Sequence, residues 1–133
     1  MLPCRSTNYN SSAAGTQWNN IVSMSAAVAA LDHELAPAKL LAVNERGDRL
    51  RKRLNTTFTA ADMPLWATGV GSMVCIHSTE DRLVELLFHA ALDDGMYIAR
   101  RGFMALSLAI TDDHCDALIA SVDSFLTTLT PHL

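Results

Sequence analysis

Cys115, Leu118, Ile119, Val122, Phe125, Leu126 and Leu129 recur at the three- and four-residue spacing that stacks side chains on one face of a helix. An apolar stripe of this length has to be buried, so the rest of the chain must supply a surface to cover it. Thr111 stands at the expected N-cap, and Asp112 and Asp113 fall in the first turn, where the helix dipole favours negative charge. Pro131 lies just past the end. Ile21, Met24, Val28, Leu31 and Leu35 predict an earlier helix, with Ala26, Ala27, Ala29 and Ala30 raising its propensity. Leu40, Val43, Gly47, Leu50 and Leu54 repeat the spacing in a second helix, and Pro37 either ends the first or starts the second. On the outer side of that second helix, Glu45–Arg49 and Asp48–Lys52 are spaced as ion pairs with the acid first. Asn55-Thr56-Thr57 is expected to close it.

Residues 66–77 (WATGVGSMVCIH) are apolar, rich in β-branched residues and too short for another helix, which predicts one strand. Gly69 and Gly71 inside it suggest a bulge or a close backbone approach. Ser78 with Asp81 three residues later has the form of a capping box, opening a third helix with Leu83, Leu86, Leu87 and Ala90 inward. Asp94-Gly95 stops that helix. Residues 96–99 and 103–108 read as two short strands joined by Arg100-Arg101-Gly102. The expected order is α-α-β-α-β-β-α. This is an α/β (α+β) fold, a two-layer small domain with a short three-stranded sheet and about four helices to one side.

The 133 residues suffice for one modest core, and 50% hydrophobic with 18% charged residues fits a globular domain rather than a disordered chain. A formal charge of −4 argues against a general affinity for nucleic acid or an anionic membrane. No apolar run approaches the roughly 20 residues of a bilayer span. Met1 to Asn10 is polar, with Arg5 its one charged residue and no apolar core of a secretory signal. Cys4, Cys75 and Cys115 are odd in number and widely spaced, which fits neither a disulfide framework nor zinc ligands. A reducing compartment, the cytoplasm, is therefore expected. Residues 1–14 are rich in Ser and Asn without periodicity and read as a flexible lead-in.

Little in the composition points to chemistry. His33, His77, His89, His114 and His132 are scattered, none at the i,i+4 spacing of a helical metal site, so no metal site is expected. Asp93-Asp94 and Asp112-Asp113 sit at helix ends, where capping and dipole effects account for them. Gly69-Val70-Gly71 lacks the strand-turn-helix setting of a dinucleotide fingerprint. The run Arg49 to Arg53 reads as a solvated helix face rather than a phosphate patch. Gly15-Thr16 differs in kind: it stands just before a helix, where backbone N–H groups and a hydroxyl can bind a phosphate.

Four segments then carry a resemblance: GTQWNNIVSMSAAVAAL (15–31), AVNERGDRLRKRLN (42–55), ATGVGSMVCIH (67–77) and MYIARRGFMALSLAITDDHCDALIASVDSFL (96–126). From Gly15 onward the chain resembles the C-terminal part of a class III pyridoxal-phosphate-dependent aminotransferase, most of all the branch that includes glutamate-1-semialdehyde aminomutase. The resemblance implies the C-terminal small domain of a fold-type I enzyme over residues 15–133, with pyridoxal phosphate as cofactor and a small-molecule amino substrate. In that family the glycine-threonine pair reaches across a dimer to the cofactor phosphate of the partner subunit. It implies that role for Thr16, with Gly15 permitting the approach.

The same resemblance places the Schiff-base lysine in a large domain upstream of Gly15-Thr16. The sequence holds two lysines, Lys39 and Lys52, both in helical segments with no sign of the burial that would depress an amine's pKa. No catalytic residue is therefore expected in this chain, which would be incomplete alone and would work as a homodimer or with a missing large-domain half. Members that hold a substrate carboxylate through an arginine in the strand matched by residues 103–108 have no counterpart here, since Arg100 and Arg101 precede it. The alternative is a stand-alone dimerisation or interaction module without cofactor. In either case, a small domain without its large neighbour is expected to leave apolar surface exposed and to self-associate.

Overall fold

The computed structural model describes residues 20–129, in two compact units that divide between Ala36 and Pro37. In the first, α1 (Ile21–Ala29) starts at Asn20, whose side-chain oxygen accepts the Val22 N–H at 2.9 Å. It runs on through a π-turn at Ala30–Glu34, closed by the Leu35 N–H on the Ala30 carbonyl at 2.8 Å. The helix expected through Leu35 thus forms with its last turn widened. Ile21, Met24, Val28 and Leu31 are all more than half exposed.

The second unit opens with α2 (Pro37–Ala60), so Pro37 begins a helix, at the position where its missing N–H costs nothing. The stripe Val43, Gly47, Leu50 and Leu54 is buried as expected, whereas Leu40 is exposed. Asn55-Thr56-Thr57 does not close the helix, which runs on to Ala60. These side chains are diverted from breaking it. Asn55 donates to the Ala67 carbonyl at 2.9 Å and accepts the Ala67 N–H at 2.8 Å, and the Thr56 hydroxyl bonds back to the Lys52 carbonyl. Phe58, 1% exposed, extends the buried stripe by one more turn.

Residues 66–77 are not one strand but a hairpin, β1 (Leu65–Val70) and β2 (Met73–Ser78), paired antiparallel with Val70 opposite Met73. Alternation with period two looks the same in one long strand and in two short ones, and the turn, Gly71-Ser72, lacks the Asn-Gly or Asp-Gly signature. Gly71 has φ +56° at the first of the two turn positions, where a type II′ hairpin needs glycine.

The capping box at Ser78 does not form. Its hydroxyl donates to the Pro64 carbonyl at 2.7 Å and accepts the Glu80 N–H at 3.0 Å, and α3 (Asp81–Asp93) starts after Glu80. The buried face of α3 is Leu83, Val84, Leu87 and Ala91, so the expected stripe is rotated and Leu86 is half exposed. The stop at Asp94-Gly95 is real: the Gly95 N–H reaches the Leu92 carbonyl and the Met96 N–H the Ala91 carbonyl, a Schellman closure.

Residues 96–99 are not a strand. Met96 is held by that helix end, Ile98 is buried in the core, and one ladder-like bond remains, from the Ala99 N–H to the Phe103 carbonyl at 3.1 Å. β3 is short (Phe103–Ala105) and pairs antiparallel with β2. The sheet order is β1-β2-β3, and the chain order is α-α-β-β-α-β-α. The expected three strands and two layers are present, but the stretch read as one strand supplies two of them, residues 103–108 supply the third and residues 96–99 supply none.

Leu65, Ala67, Val74 and Ile76 point to the helix side and are buried, while Trp66, Thr68, Val70 and Met73 occupy the open face. α2 packs on β1, α3 on β2, and α4 (Asp112–Leu129) on both helices. The α4 stripe from Cys115 to Leu126 is buried as read from its spacing, and Leu129 is half-buried.

Gly47 faces the hairpin turn so closely that a Cβ there would collide with the Gly71 carbonyl, a backbone group that cannot swing aside. Gly47→Ala would raise the intrinsic helix propensity of α2 by about 1 kcal/mol. It is nonetheless expected to destabilise the fold by about 1–3 kcal/mol, the usual cost of overpacking. Urea denaturation decides the sign; an alanine variant as stable as the parent contradicts the close approach.

Candidate functional site

Three clusters of polar side chains stand out in the second unit, each built by elements already described. The first holds the hairpin tip against α2. The Asn44 side chain accepts the Ser72 N–H at 3.0 Å, and Asp48 accepts the Gly71 N–H at 3.2 Å. Arg51 donates to the Gly69 carbonyl and bridges to Asp48 at 2.8 Å. Residues 44, 48 and 51 share one face of α2 because they are four and three residues apart. The anchoring leaves Val70 and Met73 exposed at the tip, 79% and 54%.

The second cluster joins α2 to α4. Arg46 and Arg49 both reach one oxygen of Asp112, at 3.0 and 3.1 Å, and Arg53 reaches Asp116 at 2.5 Å. The basic run is therefore not a simple solvated face. Arg49 and Arg53 face acids on a neighbouring helix, and Arg51 turns to the hairpin. The expected partners also change, since Asp48 pairs with Arg51. Hydrogen bonds from Arg46 and then Arg49 hold the Asp112 carboxyl below the usual aspartate range. The Thr111 hydroxyl does not cap the helix in the expected manner. It lies 2.9 Å from His114 Nδ1, which also accepts the Thr111 backbone N–H at 3.0 Å. The next residue, Cys115, is buried, and desolvation pushes its thiol up, away from nucleophilic chemistry.

The third cluster lies on the open face of the sheet. Trp66 and His77 are opposite each other in the hairpin and stack, with ring centroids 5.8 Å apart. His77 Nε2 is 2.7 Å from the Thr68 hydroxyl. Cys75 stands opposite both Thr68 and Phe103, and the Arg101 guanidinium lies over the Phe103 ring. The neighbouring Arg100 is paired with Glu85, and this hydrogen bond holds the Glu85 carboxyl low. Sequence reasoning missed this cluster because, in a single strand, Trp66 and His77 would lie at opposite ends. Only the turn at Gly71-Ser72 brings them together. Beside β3, residues 96–99 and the start of α4 line an open apolar pocket of about 480 Å³.

Gly15 and Thr16 lie outside the described residues. Lys39 and Lys52 are both exposed on α2. Among the described residues there is no group of three or more His, Cys, Asp or Glu placed to hold a metal ion. None of their helices is long and apolar enough to cross a membrane.

This arrangement of sheet and helices recurs in enzymes of known structure. The β-phenylalanine aminotransferase of Variovorax paradoxus superposes with a TM-score of 0.81 and 32% identity, over 87% of this chain and 30% of the other. A structure described as a transaminase with PLP bound shares the fold with a TM-score of 0.79, 19% identity, and coverage of 90% and 30%. In sequence, the Variovorax paradoxus β-phenylalanine transaminase is 36% identical over 126 residues, 85% of this chain and 29% of its own length. The glutamate-1-semialdehyde 2,1-aminomutase of Heliobacterium modesticaldum is 30% identical over 125 residues, with coverage of 83% and 29%. No family model matches the chain.

The homologues that cover this chain are thus class III aminotransferases and aminomutases. The chain spans about 29% of the length of these curated relatives.

The Asp112 contacts set a pH dependence. A carboxyl whose pKa is lower in the folded than in the unfolded chain stabilises the fold above its unfolded value, about 3.9, and loses that contribution as pH falls through the folded value. The double variant Arg46→Gln/Arg49→Gln is expected to melt below the parent at neutral pH, with the gap narrowing as the pH drops beneath about 4. Asp112 is exposed, so the gap is small. A gap that stays constant with pH would show that Asp112 is not the group these arginines stabilise.

Proposed function

We propose that this chain is the C-terminal small domain of a pyridoxal-phosphate-dependent class III aminotransferase or aminomutase, acting on a small amino substrate. The observation that carries this reading is the 36% identity with the Variovorax paradoxus transaminase across 85% of the chain, together with the shared fold. In this reading residues 15–133 form one functional domain and residues 1–14 are a lead-in. Thr16, assisted by Gly15, contacts the cofactor phosphate of a partner subunit, the role that the family resemblance implies for this pair. The cofactor supplies electron-sink chemistry once bound to a lysine. That lysine is not Lys39 or Lys52, both exposed on α2. The chain is therefore not catalytically complete alone, and it works as a homodimer or with a lysine-bearing large-domain polypeptide, in the cytoplasm.

Incubating the full chain with pyridoxal phosphate, reducing with borohydride and weighing the peptides tests the lysine assignment. The expected result is no stoichiometric adduct at Lys39 or Lys52. A specific one-to-one adduct at either residue overturns it.

The role of Thr16 calls for a chimera in which this chain replaces the matched segment of the Variovorax paradoxus transaminase. Thr16→Ala is expected to weaken cofactor retention at least about ten-fold, the effect of losing one hydrogen bond to a charged group. Unchanged retention would favour a second reading, an interaction module without cofactor. The exposed Ile21, Met24, Val28 and Leu31 of α1 and its π-turn are the features that speak for it.

A further inference from the structure

We draw no further inference here: the strongest candidate, the open apolar pocket of about 480 Å³ between residues 96–99, β3 and the start of α4, carries nothing because nothing in the structure shows what fills or covers it.

Discussion

The backbone of α2 sits against the Gly71 carbonyl because Gly47 has no side chain, and Asn44, Asp48 and Arg51 then satisfy the polar groups of the hairpin turn. The rest of the sheet follows from that contact. With the turn fixed against the middle of α2 and Asn55 holding Ala67 further along, the register of β1 on the helix is pinned at two places. Register decides which side chains face the helices, since a slip of one residue would exchange Leu65, Ala67, Val74 and Ile76 for their open-face neighbours. β3 joins β2 through only three residue pairs and depends on the hairpin being in place.

How much of this was legible in the sequence depended on how local the signal was. The α4 stripe, the burial of Val43 to Leu54 and the helix stop at Asp94-Gly95 follow from spacing and cap chemistry, and all three stand in the structure. Three of the errors share a cause: a side chain with a local reading was recruited by a distant partner. Asn55 reads as a helix breaker but serves Ala67, Ser78 reads as a cap but serves Pro64, and Arg49 reads as solvated but meets Asp112. No spacing rule reports a partner that only the fold brings near. The Trp66–His77–Thr68 cluster was hidden because the Gly71-Ser72 turn was read as part of one strand, although glycine followed by serine is a two-residue hairpin signal.

The family resemblance was legible where the periodicity was mute, because it rests on the order of whole segments rather than on any one residue. It gains weight from the structure in a particular way. The superposition on the transaminases takes in 87% and 90% of the chain rather than a single motif. The proposed phosphate contact stands apart, since Gly15 and Thr16 lie outside the described residues.

The ring stack on the open face gives the molecule an optical handle. Trp66 is one of two tryptophans, 41% exposed and stacked on His77, on the side of the sheet that no helix of its own unit covers. Indole emission moves to shorter wavelength as water is removed from the ring. Anything laid across that surface would announce itself in the colour of the fluorescence, without a label and without disturbing the core.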